Sequence, residues 1–193
     1  MALLLSKSVF YHIPKTGGNW VKEALRRGGV PAETFHSSHT VLSASPPPEG
    51  YYSFTFVRDP RSWYQSYWAY RMRTQWRDAK GMDRKCYSTN FQEFVANCVE
   101  YYPGYVSDMY RRHVGADASG VDFVGRQETL VEDLLKALQM AGEQYSEESI
   151  RAVPPVNEAA KLSVWKDQCR YTPELSAAVA KSEQLAMEMF DYA

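Results

Sequence analysis

The chain has few cysteines and almost no net charge, and each of these scarcities excludes a class of protein. Its 193 residues include three cysteines, Cys86, Cys98 and Cys169, which are too scattered for a metal-binding or redox motif. We therefore expect free thiols in a reducing compartment. The formal net charge is −1 at pH 7, so nothing global favours nucleic acid or an anionic membrane surface as a partner.

Long hydrophobic runs are also missing. The run in "MALLLSK" is too short for the core of a signal peptide, and no later stretch approaches the length of a membrane span. We expect a cytoplasmic protein with one domain over residues 1–193. The pattern G-x-x-x-x-G-K-[ST] is absent as well, which disfavours an ordinary ATP- or GTP-hydrolysing phosphate loop.

Strand and helix signals alternate along the chain. The stretches "SVFYHI", "YYSFTFV" and "VDFVGRQE" are rich in β-branched and aromatic residues, which is typical of buried strands. Helical patterns follow each of them; the first begins at Asn19, and the second begins at Pro60 with Asp59 as its N-cap. The alternation predicts an α/β fold with a P-loop-like parallel sheet of about five strands, flanked by helices.

The stretch "SVFYHIPKTGGNW" places a lysine and two glycines between a strand and a helix. In open α/β sheets, ligands bind beyond the carboxyl ends of the strands, at helix N-termini. Gly17 and Gly18 let the backbone come close to a ligand because they have no Cβ atom. The N–H groups that begin the helix favour an anion, and Lys15 adds a positive charge. The alternative is an ordinary strand-to-helix turn with a solvated lysine.

A second candidate group follows the strand "YYSFTFV". Arg58 lies at the carboxyl end of this strand, beside the lysine-glycine turn if the two strands are neighbours. Ser66 comes eight residues later, about two turns into the helix that begins at Pro60. A guanidinium and a hydroxyl together could hold a second phosphate. Taken alone, Arg58 could instead form a surface salt bridge with Asp59.

Together, "PKTGGNW" and "FVRDPRSWYQS" resemble the sulfotransferases that use 3′-phosphoadenosine-5′-phosphosulfate (PAPS). In that family a loop of the pattern P-K-[ST]-G-[TG]-[TS] binds the 5′-phosphosulfate. A strand-end arginine, with a serine eight residues later, binds the 3′-phosphate. The stretch "DFVGRQETLVEDLLKAL" is similar to the F-V-G-R-x-E-x-L junction of the carbohydrate-type branch, and "AMEMFDY" looks like that branch's final helix.

The resemblance implies a role for each matching residue. Lys15 would be catalytic, because it would contact the bridging oxygen and neutralise charge on the departing phosphate. Arg58 and Ser66 would hold the 3′-phosphate, and Trp20 matches a tryptophan that stacks on adenine in cytosolic relatives. The remaining loop residues would hold the 5′-phosphate together with Lys15; these are Thr16, Gly17, Gly18 and Asn19.

Two departures from the family pattern stand out. Asn19 occupies a position that usually holds Thr or Ser, although an amide can still donate a hydrogen bond. The basic R-K-G segment of the cytosolic branch is missing; Lys161 is either its replacement or a solvated lysine. The role of Arg126, which belongs to the F-V-G-R motif, stays open.

The family also implies a histidine base that precedes the Arg58 strand. The stretch "TFHSSHTVL" offers His36 and His39. We predict that His39 is the base because it leads a loop, as the histidine of the carbohydrate-type branch does, whereas His36 lies within the predicted strand. Sulfuryl transfer depends on positioning and electrostatic stabilisation, so we expect no metal.

The resemblance implies an acceptor hydroxyl on a carbohydrate, phenol, lipid or peptide. Two other functions stay open. One is a nucleotide kinase or NTPase with an atypical phosphate loop, and the other is a non-catalytic nucleotide-binding module of the same fold. The aromatic residues of "WYQSYWAYRM" could form acceptor-binding walls or simply pack in the core.

Overall fold

A computed structural model describes residues 1–36, 45–154, 164–165 and 167–192 of the chain. By its contacts the chain divides into two compact units. The first comprises Met1–Arg58 and Tyr110–Asn157, and the second comprises Asp59–Met109 and Glu158–Ala193. None of the described helices is both long enough and apolar enough to cross a membrane.

The strands of the first unit form one five-stranded sheet in the order β3-β1-β2-β4-β5. Strands β2, β4 and β5 are mutually parallel, whereas β1 is antiparallel to both β2 and β3. The strand bounds are β1 (Ala2–Leu4), β2 (Ser8–Tyr11), β3 (Glu33–His36), β4 (Tyr52–Val57) and β5 (Phe123–Arg126).

The predicted α/β fold with about five strands flanked by helices is confirmed, but the predicted parallel sheet is wrong, because the sheet is mixed. Strand β1 is joined to β2 by a tight turn in which the Leu5 N–H donates to the Ser8 carbonyl oxygen at 2.8 Å. Such a short connection joins only antiparallel strands, since a parallel pair needs a crossover of about a dozen residues.

Helices follow each of the parallel strands β2, β4 and β5, with four of the described helices between β4 and β5. A 3-10 turn at Gln127–Thr129 follows β5 directly. The helix bounds are α1 (Gly18–Arg27), α2 (Pro60–Arg73), α3 (Met82–Lys85), α4 (Phe91–Tyr101), α5 (Tyr105–Val114), α6 (Leu130–Ala141), α7 (Glu147–Arg151), α8 (Pro173–Ser182) and α9 (Gln184–Met189).

The core of the first unit joins the sheet to α1, α6 and α7. Helix α1 contributes an apolar face with helical spacing, because residues three and four apart lie on the same side of a helix. This face positions the start of α1 against the sheet. The cluster includes Phe10 of β2, Phe54 and Phe56 of β4, Trp20, Val21 and Leu25 of α1, Leu134 and Leu138 of α6, and Ile150 of α7.

The second unit has an aromatic core of its own. Trp63, Tyr64 and Trp68 of α2 are almost completely buried. The Trp68 Nε1–H donates to the Ser88 carbonyl oxygen at 3.0 Å, so the indole is also satisfied as a donor. For these three residues, core packing is therefore the correct interpretation. Cys86, Cys98 and Cys169 are buried and are not joined by disulfide bonds.

Candidate functional site

The candidate site lies where the parallel strands of the first unit end. Tyr11 at the end of β2 pairs with Thr55 of β4, and Val57 at the end of β4 pairs with Arg126 of β5. The carboxyl ends of these three strands therefore share one edge of the sheet. The lysine-glycine turn begins at this edge, and Arg58 lies at the same edge. Strands β2 and β4 are neighbours, which is the condition under which Arg58 lies beside the turn.

The turn between β2 and α1 has a defined shape. Thr16 is buried, and its Oγ1 donates to the Ile13 carbonyl oxygen at 2.9 Å. Lys15 and Gly17 both have positive φ angles, 68° and 93°. A positive φ is uncommon for a residue with a Cβ atom, which makes Lys15 a strained position.

The N-terminus of α1 is open. Its N-cap is Gly17, which has no side chain that could cap the helix with a hydrogen bond. The first turn contains no acidic residue. The first helical hydrogen bond runs from the Val21 N–H to the Gly17 carbonyl oxygen at 3.1 Å. The positive end of the helix dipole is therefore not neutralised by an acidic side chain of its first turn, and such an end favours an anion.

The two glycines of the turn accommodate protein side chains. A Cβ atom on Gly18 would lie 2.0 Å from Cδ2 of His12, and one on Gly17 would lie 2.6 Å from Cδ2 of Leu130. We expected a ligand to occupy the space next to the two glycines. In the structure the side chains of His12 and Leu130 occupy it. The features of the turn that favour an anion are the N–H groups, the helix dipole and the nearby cations.

Arg58 reaches the turn from the end of β4. Its Nη1 donates to the Lys15 carbonyl oxygen at 3.4 Å. Its own peptide groups are held by Tyr110 of α5, whose hydroxyl donates to the Arg58 carbonyl oxygen at 2.7 Å and accepts from the Arg58 N–H at 3.1 Å. The structure therefore brings Lys15, Arg58 and the start of α1 together.

No protein-family model, curated protein or solved structure matches the chain. Within the residues that the structure describes, no group of three or more His, Cys, Asp or Glu side chains is arranged to hold a metal ion.

Two of the remaining predicted site residues, Trp20 and Ser66, are among the described residues. Trp20 is 7% exposed and packs in the core of the first unit, which leaves little of its ring for contact with adenine. Ser66 is half-buried on α2, in the second unit. His39 and Lys161 lie outside the described residues.

His36 is close to the sheet edge that carries the turn. Ala2 of β1 pairs with Tyr11 on one side and with His36 on the other. His36 is therefore two strands away from Tyr11, or about 10 Å at the usual spacing of strands. Its ring lies edge-on to the ring of Phe35, with centroids 4.7 Å apart.

Sequence reasoning missed three residues that shape the site. His12 packs against Gly18, and Tyr110 holds the Arg58 peptide groups. Asp133 of α6 accepts from the Arg126 N–H and from Thr129 Oγ1, both at 2.7 Å, and so fixes the end of β5. His12 could have been found, because it adjoins the motif. Tyr110 carries no such signal, since it is 52 residues from Arg58.

Proposed function

We propose that this chain is a P-loop-like sulfotransferase that moves a sulfuryl group from PAPS to an acceptor hydroxyl. The observation that carries the proposal is the open N-terminus of α1, with the Arg58 guanidinium 3.4 Å from the Lys15 carbonyl oxygen. This arrangement supports an anion site with two parts, a helix N-terminus and a separate arginine. A nucleotide with phosphate groups on both its 5′ and 3′ positions needs two such parts.

The turn and the first residues of α1 form the 5′ part of the site. The N–H groups of Gly18 and Asn19 belong to the first turn of α1 and are directed at the 5′-phosphate. Thr16 contributes its N–H group, because its hydroxyl already donates to the Ile13 carbonyl oxygen. Arg58 holds the 3′-phosphate through charge-assisted hydrogen bonds. The contact of Ser66 with this phosphate stays a prediction.

Bound PAPS supplies a sulfuryl group on the oxygen that leaves with the 5′-phosphate. Lys15 neutralises the charge that develops on this oxygen, and the α1 dipole acts in the same direction. The acceptor oxygen forms a bond to sulfur while the sulfur–oxygen bond to the phosphate breaks. His39 takes the proton of the acceptor hydroxyl, which leaves a sulfate ester and adenosine 3′,5′-bisphosphate. The adenine contact of Trp20 stays a prediction.

The test is a calorimetric titration with adenosine 3′,5′-bisphosphate in the absence of magnesium. We expect binding, together with a rise in Tm, because a ligand that binds only the native state stabilises it. Arg58→Ala should weaken this ligand about tenfold or more, the scale of a charge-assisted hydrogen bond. The same variant should change the affinity for adenosine 5′-phosphate by less than about threefold.

Arg112→Ala is a matched control, because Arg112 is an exposed arginine on α5. It should leave both affinities unchanged. If Arg58→Ala lowers the affinity for both nucleotides equally, Arg58 does not bind the 3′-phosphate. Binding of ATP that depends on magnesium would favour a kinase or NTPase instead. Transfer of labelled sulfate from PAPS to pooled glycans, phenols, lipids and peptides, abolished by Lys15→Ala, separates an enzyme from a binding module.

A further inference from the structure

A buried tyrosine of α5 controls the backbone of Arg58. Tyr110 is 0% exposed, and its hydroxyl bonds to both peptide groups of Arg58, at 2.7 Å to the carbonyl oxygen and 3.1 Å to the N–H. A phenol hydroxyl can do this because it has one donor and two acceptor positions. Tyr110 thus holds one residue at two points.

Arg58 needs such a partner because of its place in the fold. The last pair of the ladder between β4 and β5 joins Val57 to Arg126, so Arg58 is the first residue beyond the ladder. Backbone groups that leave a buried strand need other hydrogen-bond partners. Tyr110 supplies them at the position where the Arg58 side chain projects from the backbone.

The hydrogen bonds continue from Tyr110 into the phosphate-binding turn. Tyr110 holds the Arg58 backbone, and Arg58 Nη1 in turn contacts the Lys15 carbonyl oxygen at 3.4 Å. A shift of about 1 Å in a positioned group can cost about a hundredfold in rate. A displaced Arg58 backbone would move the guanidinium that binds the 3′-phosphate.

We propose that Tyr110 is a positioning residue for Arg58, and that it sets the preference for nucleotides that carry a 3′-phosphate. This inference rests on the proposed function, since it concerns the same nucleotide. It predicts that Tyr110 acts on the 3′-phosphate and has little effect on the 5′-phosphate. A purely structural tyrosine would affect stability alone.

The test compares Tyr110→Phe with Tyr11→Phe. Tyr11 is a matched control because its buried hydroxyl also donates to a backbone carbonyl oxygen at 2.7 Å, that of Ser45. Burial raises the pKa of Tyr11 to about 12, so its hydroxyl stays a donor. The measured quantity is the affinity for adenosine 3′,5′-bisphosphate divided by the affinity for adenosine 5′-phosphate.

We expect Tyr110→Phe to lower this ratio about tenfold, the scale of one charge-assisted contact, and Tyr11→Phe to leave it within about twofold of the wild type. In the Arg58→Ala background, Tyr110→Phe should no longer change the ratio. A ratio that Tyr110→Phe leaves unchanged while Tm falls would overturn the inference and leave the proposed function standing. A wild-type protein that binds neither nucleotide would overturn both.

Should Tyr110→Phe fail to fold, 3-fluorotyrosine at position 110 keeps the shape of the side chain and alters the hydroxyl. We expect the ratio to change by about twofold or more, because the phenol becomes a stronger donor and a weaker acceptor. The same replacement at position 11 should leave the ratio unchanged. An unchanged ratio at position 110 would also overturn the inference.

Discussion

Helices α1 and α2 each follow a parallel strand, yet their N-termini are opposite in chemistry. Helix α1 begins after Gly17, which has no side chain to cap it. Helix α2 begins after Asp59, whose carboxylate accepts from the Arg61 N–H at 2.7 Å and pairs with the Arg61 guanidinium at 2.7 Å. The protein neutralises the start of α2 with the carboxylate of its N-cap, whereas the first turn of α1 contains no acidic residue.

The C-termini of the two helices use the same motif with different residues. In α1 the Gly29 N–H donates to the Arg26 carbonyl oxygen at 3.3 Å, and the Val30 N–H donates to that of Leu25 at 2.9 Å. In α2 the corresponding donors are Gln75 and Trp76, at 3.1 and 2.9 Å, to the carbonyl oxygens of Met72 and Arg71. Both are Schellman motifs, but α2 places a glutamine where glycine is preferred.

A capped helix end stabilises the fold, whereas an uncapped N-terminus leaves its N–H groups available to a ligand. A helix that serves only the fold is best closed at both ends, since unsatisfied N–H and C=O groups lower its stability. Helix α1 is well closed at its C-terminus by Gly29 and open at its N-terminus. That combination is expected of a helix that presents its first turn to a ligand.

The largest effect should come from Gly18→Ala. The added Cβ atom would lie 2.0 Å from the His12 imidazole, which also stacks on the ring of Phe10 with centroids 6.0 Å apart. We expect the free energy of unfolding to fall by about 2 kcal/mol, because overpacking outweighs the better helix propensity of alanine. Urea denaturation measures this change.

A double-mutant cycle identifies the cause. In the His12→Ala background the imidazole is gone, so Gly18→Ala should lower the free energy of unfolding by less than about 0.5 kcal/mol. An equal loss in both backgrounds would show that His12 is not the obstacle. The presence of glycine at position 18 would then have another cause.

The next effect concerns the charge at the open end of α1. Asn19 is exposed in the first turn, and Asn19→Asp places a carboxylate there without a change of shape. We expect the affinity for adenosine 3′,5′-bisphosphate to fall about tenfold, or about 1.4 kcal/mol. Tm should hold or rise slightly, because a negative charge stabilises a helix N-terminus by about 0.3–1 kcal/mol.

Gln92→Glu is the matched control for this change. Gln92 is the second residue of α4, as Asn19 is of α1, but the N-cap Asn90 already accepts from the Glu93 N–H at 3.0 Å. The control should leave the nucleotide affinity within about twofold of the wild type. A similar loss of affinity in both variants would indicate a general effect of negative charge and would remove the distinction between open and capped ends.

The smallest effects lie at the C-termini, and they should have opposite signs. Gly29 has a φ of 73° and a Cβ atom there would meet nothing within 4 Å, so Gly29→Ala tests backbone strain alone. We expect a loss of about 1 kcal/mol in the free energy of unfolding. Gln75 has a φ of 53°. We expect Gln75→Gly to raise the free energy of unfolding by about 0.5 kcal/mol, because glycine adopts this φ without strain. Urea denaturation measures both free energies of unfolding. If both substitutions raise this free energy, or both lower it, the comparison of the two C-termini is refuted.

Much of the fold was predictable because its signals are local. Asp59 as N-cap and Pro60 as the first residue of α2 are observed as predicted. Caps and helical spacing depend on a few neighbouring residues. Strand β1 was missed because three residues are too few to show an alternating pattern.

The sequence by itself determined the alternation of strands and helices and the glycine turn before α1. It also determined which residues carry the motif, with Lys15 on the turn and Arg58 at the strand end. Each of these follows from residue type and spacing over less than about ten positions, the range over which backbone preferences act.

Only the tertiary structure decided how these pieces meet. The antiparallel β1, the contact between His12 and Gly18, and the hold of Tyr110 on Arg58 depend on how distant segments pack. Tyr110 and Arg58 are 52 residues apart, and no local preference of either residue specifies the other. Such contacts arise from burial and from the need to satisfy buried polar groups, which are properties of the folded chain.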